Sequence, residues 1–320
     1  MKRVLSLLVF VLLLNGCNDG NLTVGTIDFS NATTQSCSTT NIIYKLNAQE
    51  ALILEIPTTS FVNEPTVPGT PLNIPIDNST YRVVYRSYSG KITSDNICNA
   101  IPPATPTVTD QWTATSGIIQ IITTPITVAG TIAGSTVITG YNHNIIFKNI
   151  TFSRTSGNQV YETFAFGDYV TPATTFPFAF NKILTQCSTT KQIYNYTTSG
   201  EALTLDIDPT LIQSSETPLN KPRTGVISAT TNKLIYRLYN GLLTSSYFCG
   251  TTLPQSPTFN EEWIGVAGVT GVSGTIEVTT VKNGTTAYTH TIVLKNVTLT
   301  NGTSSFNLGD SYIYGDLLTN

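Results

Sequence analysis

Apolar and polar side chains alternate with a period of two along most of the chain, the pattern of strands with one buried face. Tyr81-Arg82-Val83-Val84-Tyr85-Arg86-Ser87-Tyr88 is the clearest run, rich in β-branched and aromatic residues. Further strands are predicted at 42–46, 51–56, 117–123, 145–153 and 163–169, with counterparts in the second half. Ser89-Gly90 and Asn240-Gly241 follow two such runs. Asn-Gly between strands signals a type I′ hairpin, because both residues tolerate positive φ. Return strands are therefore predicted at 91–98 and 242–249. No segment of 10–12 residues carries a 3.6-residue apolar period, so helices are not expected.

Seven or so short strands per unit predict an all-β fold. The expected architecture is two tandem, homologous antiparallel β-sandwich domains, Ig-like or jelly-roll-like, with small β-barrels as the alternative. In each unit the Trp follows the second Cys, whereas antibody domains carry it between the two.

The chain repeats itself. Cys37-Ser38-Thr39-Thr40 returns as Cys187-Ser188-Thr189-Thr190, and Glu50-Ala51-Leu52 as Glu201-Ala202-Leu203. Tyr85-Arg86-Ser87-Tyr88-Ser89-Gly90 returns as Tyr236-Arg237-Leu238-Tyr239-Asn240-Gly241. Cys98 answers Cys249, Trp112 answers Trp263, and His143 answers His290. Phe164-Ala165-Phe166-Gly167-Asp168 is matched to Phe306-Asn307-Leu308-Gly309-Asp310, which lets the offset fall from 150 to 142 toward the end. A period this long is a whole domain, well beyond solenoid repeats of 20–50 residues. The expected units are 31–172 and 182–320, joined by a short, stiff connector at 173–181.

The first residues carry an address. Met1-Lys2-Arg3 is basic, and residues 4–14 are apolar apart from Ser6. This is a signal-peptide core, too short to span a bilayer. It ends in Leu14-Asn15-Gly16-Cys17. The tetrad resembles the lipobox of bacterial lipoproteins. The resemblance implies cleavage after residue 16, diacylglycerol on the Cys17 sulfur and acylation of the new amino terminus. Residues 1–16 are then a signal peptide, and 17–30 a lipidated tether. Two or three acyl chains exceed the single-chain threshold for stable anchoring.

Composition agrees with export. The chain has 320 residues, 40% hydrophobic and 11% charged, with a formal net charge of −3. Charged residues average about 25% in soluble domains. Without a basic footprint, nucleic-acid binding is excluded as an expectation. Hydrophobic content of this size also argues against disorder. Together with the lipobox, the tandem Thr/Asn-rich β units resemble surface lipoproteins of Bacteroidota, especially flavobacteria. The resemblance implies an outer-membrane location, at the cell surface or on the periplasmic face. Outward-facing members often carry an acidic segment after the Cys, where this chain has Asp19 alone.

Five cysteines less Cys17 leave four, two per unit at matched places. Three pairings are possible, and the duplication favours Cys37–Cys98 and Cys187–Cys249. Each would close a loop of about 60 residues, worth roughly 4 kcal/mol by chain entropy, in an oxidising compartment.

Chemistry is sparse. No G-x-S-x-G, H-E-x-x-H, P-loop or EF-hand pattern occurs. His143 and His290 open Thr-rich strands and read as structural or solvated. Asp168 and Asp310 follow Gly at strand ends and read as turn residues. Glu50 with Glu55, and Glu201 with Asp206, stand five apart on a strand and face opposite ways, unlike a glycosidase pair. Arg86 and Arg237 are expected to make a repeated salt bridge or to cover the sheet. Trp112 and Trp263 are the ligand-binding candidates, as stacking platforms for a sugar, against core packing as the plainer reading. Eight Asn-x-Ser/Thr triplets reflect composition. No cofactor and no metal is expected. The expected role is non-catalytic: a lipid-anchored binding, adhesion or scaffolding module. Its partners would be the membrane through Cys17 and an envelope protein complex or a glycan. The alternatives are a glycan-binding accessory lipoprotein and, behind it, a polymer hydrolase.

Overall fold

The computed structural model describes residues 26–320 apart from 156, 251 and 253. The predicted signal peptide, Cys17 and most of the predicted tether lie outside the described residues. The described chain is almost entirely antiparallel β-structure. Among the described residues no helix is long and apolar enough to cross a membrane.

The first half contains β1 (Gln35–Ser36), β2 (Ile42–Asn47), β3 (Glu50–Glu55), β4 (Leu72–Pro75), β5 (Arg82–Tyr88), β6 (Val108–Ala129), β7 (Thr136–Ser153) and β8 (Gln159–Pro172). Their order is β1-β2-β3-β5-β6-β7-β8, with β4 also paired to β6. β6 pairs with β5 near its start and with β4 further along, so it passes from one sheet face to the other. Register shifts around Ser116 mark the passage. A Cβ on Gly117 would lie 2.9 Å from Ile150 Cα, so the crossing needs glycine.

The second half contains β9 (Thr185–Gln186), β10 (Ile193–Tyr196), β11 (Glu201–Asp206), β12 (Arg223–Val226), β13 (Lys233–Tyr239), β14 (Phe259–Gly265), β15 (Thr275–Asn283), β16 (Ala287–Lys295), β17 (Thr298–Thr300), β18 (Ser305–Asn307) and β19 (Tyr312–Thr319). The orders here are β9-β10-β11-β13-β14-β17-β18 and β12-β15-β16-β19. This is the first topology with its three long strands cut: β6 corresponds to β14 plus β15, β7 to β16 plus β17, and β8 to β18 plus β19. The register repeats too. Tyr85 faces Trp112 as Tyr236 faces Trp263, and both halves carry a bulge at the end of that pairing.

Each half buries one main core between its sheet faces. In the first, Leu52, Tyr85 and Trp112 meet Ile119, Ile145 and Phe147; in the second, Leu203, Tyr236 and Trp263 meet Ile276, Val278 and Ile292. A smaller cluster sits outside each larger sheet, under a loop tied down by a disulfide. The bridges are Cys37–Cys98 and Cys187–Cys249.

Four expectations need correction. Ser89-Gly90 and Asn240-Gly241 do not turn hairpins: none of the four residues has positive φ, and Ser89 N–H bonds Thr107 O across the loop mouth. The segments after them are not strands. They hold a short helix, Asp95–Cys98, and a 3-10 turn, Ser245–Tyr247, and β5 and β13 pair onward with β6 and β14. The Gly-Asp match is also different. Asp168 lies opposite Asn144, and the residue opposite the matched Thr291 is Asp316. Tyr312-Ile313-Tyr314-Gly315-Asp316 is therefore the true partner of Phe164–Asp168, and the offset stays near 148. Finally, the 173–181 connector is a wall of the second core. Phe176, Phe178 and Phe180 pack against it, and buried Glu201 accepts hydrogen bonds from Phe178 N–H (2.7 Å) and the Tyr236 hydroxyl (3.0 Å).

One hairpin breaks the symmetry. Between the paired residues Ile126 and Gly140 lie residues 127–139; at the matched place, between Asn283 and Ala287, lie only 284–286. The extra ten residues form an arm that reaches the second half. Ala133 O accepts from Asp310 N–H (2.8 Å), and Thr136 Oγ1 accepts from Asn307 N–H (2.8 Å). At its base, Tyr141 and Ser304 share a hydrogen bond (3.1 Å). Ile138 and Tyr141 belong to the second core. A Cβ on Gly309 would meet Ile132 Cγ2 at 2.6 Å and Ala133 O at 2.9 Å, so the arm docks on a glycine.

Candidate functional site

The titratable groups that repeat between halves are held in packing networks. Alternation along β7 and β16 points His143 and His290 inward, and both are fully buried. A buried imidazole needs partners for both nitrogens. His143 has Thr123 at Nδ1 and Thr171 at Nε2, each at 2.9 Å. His290 has Thr280 (2.8 Å) and Thr319 (2.9 Å) in the same places. Burial pushes the His143 imidazole down to about 4, and burial with nearby Arg223 lowers His290. In the unfolded chain both would protonate near their ordinary value of about 6.5. Below that value the unfolded state binds more protons, so stability falls with pH. We expect the loss to set in below pH 6.5 and to level off near pH 4, at up to about 3 kcal/mol for His143. Urea titrations at pH 7 and 5 check this: H143Q/H290Q should flatten the dependence, and an unchanged slope would count against it.

Asp168 Oδ1 accepts from Asn142 (3.0 Å) and Asn144 (2.8 Å), and these bonds hold its carboxyl below the usual range. Glu50 accepts from the Tyr85 hydroxyl, and Glu55 pairs with Arg82 at 2.9 Å. Arg237 pairs with Glu262, whereas Arg86, at the matched register, bonds the neutral Gln111 at 2.8 Å.

The tryptophans are not platforms. Trp112 is 6% exposed and Trp263 2%. Alternation turns both inward beside Tyr85 and Tyr236. Arg154 lies over the Trp112 ring at 4.9 Å, and Phe176 and Phe306 pack on Trp263 at 5.3 and 5.0 Å. Each indole N–H is satisfied within its own strand, by Asp110 (2.7 Å) and Glu261 (3.2 Å). Neither ring offers an open face, and Trp263 meets the cleft described next only as a buried wall residue.

A polar cleft of about 390 Å³ lies instead at the seam between the halves. The loop after β3 supplies Asn63 and Glu64, the connector Thr174, β14 Asn260 and Glu261, and the β17–β18 turn Asn301. Tyr141, from the base of the arm, contributes to the wall. Glu261 accepts from Thr174 (3.3 Å) and from the Trp263 indole, which orients its carboxylate at the rim. Amides and carboxylates side by side offer donors and acceptors to a hydroxyl-rich ligand. Among the described residues, no group of three or more His, Cys, Asp or Glu could hold a metal ion. Local sequence does not reveal this cleft, because its walls come from segments as far apart as Asn63 and Asn301 with no shared motif.

No family model, no curated protein and no solved structure matches the chain. The chemistry of the cleft rests on its own residues.

Proposed function

We propose that the chain is a non-catalytic, lipid-anchored protein of the bacterial outer membrane that binds a polar partner at the seam between its two halves. The observation that carries the reading is the seam cleft, a concave polar surface built by both halves and the connector. The export signal and lipobox-like tetrad support the anchor. The commitment of His143, His290, Asp168, Glu50 and Glu201 to packing networks supports a binding role over catalysis.

Within this reading a glycan is favoured over a protein partner. The seam sets Asn and Glu side chains, which can meet sugar hydroxyls, beside the aromatic wall residues Tyr141, Phe176 and Trp263, against which the apolar side of a sugar ring can lie. A glycan array probed with the intact chain tests it. Binding is expected, and E64Q and N260A should each weaken it about tenfold, the cost of one or two lost hydrogen bonds. An array without signal, or a signal indifferent to both variants, overturns the glycan reading. A stoichiometric protein recovered on gentle envelope extraction would then replace it.

A further inference from the structure

The seam cleft has a neighbour of the opposite character. Ile138 and Phe176 line the seam, and the same two side chains line a second cleft of about 140 Å³ beneath the arm. Ile132 and Val137 of the arm form one wall of it, Phe178 of the connector another, and Tyr312 of β19 a third. All four are at least partly exposed, Val137 at 40%, so their apolar surface meets solvent. Phe178 stacks on Tyr236 at 4.6 Å and meets Tyr312 edge-on at 6.2 Å, while Phe176 stacks on Phe306 at 5.8 Å. Rings packed in this way on a core form fixed walls.

The polar atoms along the cleft are already bonded within the fold. Ser135 Oγ donates to Ile132 O, and Thr136 Oγ1 accepts from Asn307 N–H. The Asn307 amide donates to Thr298 and accepts from Gly309 N–H. What this recess has left to offer an occupant is apolar contact. The arm that walls it has no counterpart in the second half's short hairpin, and residues 26–30 carry one phenylalanine where the connector carries three. The cleft is therefore single, like the seam beside it. An apolar cavity of about 150 Å³ holds a benzene-sized group, so this one suits the last five or six carbons of a chain.

We propose, building on the glycan reading of the seam, that the site continues into this cleft and that its ligand is a sugar carrying an aliphatic chain. The sugar lies against Asn63, Glu64 and Glu261. The chain passes Ile138 and Phe176 and ends between Val137, Phe178 and Tyr312.

Titration calorimetry of the intact chain with hexyl β-glucoside, methyl β-glucoside and 1-hexanol, all below micelle-forming concentrations, tests the assignment. Each buried methylene is worth about threefold in affinity, so hexyl glucoside should bind at least about tenfold more tightly than either of the others. Nuclear Overhauser contacts should join its terminal methyl to the rings of Phe178 and Tyr312. Val137→Glu puts a charge in the cleft from an exposed position; it should keep the thermal unfolding and erase the gain of hexyl over methyl. Glu64→Gln should weaken hexyl glucoside about tenfold. Equal or absent binding of hexyl and methyl glucoside overturns the proposal, as does a gain that Val137→Glu leaves intact, or hexanol bound as tightly as hexyl glucoside. A glycan signal lost in Glu64→Gln, with nothing gained from the chain, would uphold the seam reading and sink this one. A chain gain on which Glu64→Gln has no effect would take the sugar out of the seam and sink both.

Discussion

Replacing residues 127–139 with the short turn Gly284-Thr285-Thr286 is expected to split the thermal unfolding of the chain into two transitions. The register around the cut is safe. Pro125 pairs with Tyr141 as Lys282 pairs with Tyr288, and the second half already closes that geometry with three residues. What disappears is the arm. Ile138 leaves a core in which it is 4% exposed, and the bonds from Ala133 and Thr136 to Asp310 and Asn307 go with it. Loss of one such aliphatic side chain costs about 2–5 kcal/mol and each hydrogen bond about 1 kcal/mol, so the second half should lose roughly 4–7 kcal/mol. The first half loses only the hairpin tip. Its core, from Ile27 to Phe166, contains no residue between Ile121 and Ile145 and should melt near its original temperature. Calorimetry reads the outcome directly. One transition at the wild-type temperature would mean that the arm couples nothing.

The other large effect concerns the membrane. Cys17→Ser removes the only atom that a lipoprotein lipidation can use in the tetrad, and the chain should move from the membrane pellet to the soluble fraction. Each buried methylene of an acyl chain contributes about 0.8 kcal/mol, and a single chain anchors only marginally, so loss of two or three chains leaves no residual attachment. Fractionation with anti-chain antibody measures it, and a variant still in the pellet after high-salt washing would contradict a lipid anchor.

The parts of the fold that were legible are those governed by local alternation. β2, β3 and β5 match their predicted spans to within a residue at each end. The disulfide pairing was legible for a different reason, since a copied unit carries its own bridge. The long strands were not. The span predicted at 117–123 covers only the middle of β6, Val108–Ala129, because a register shift carries the strand through Gly117 and Pro125 pairs with Tyr141 across the arm's base. Ser89-Gly90 read as a hairpin because turn residues follow a strand, whereas the disulfide draws the following loop over the sheet instead. The Asp310 match had the better spelling, but strand register, which no local spelling encodes, selects Asp316. Trp112 and Trp263 followed the same logic: their alternation was visible, and it pointed inward. Of the seam only Trp263 was among the candidates, since the rest of its lining depends on where the arm and the connector dock.

The proposed lipid anchor is tested most directly at Cys17. Mass spectrometry of the chain extracted from membranes, digested without reduction, should find an amino-terminal peptide that begins at Cys17 and carries diacylglycerol and a further acyl group. A peptide running through Cys17 with a free thiol would contradict it.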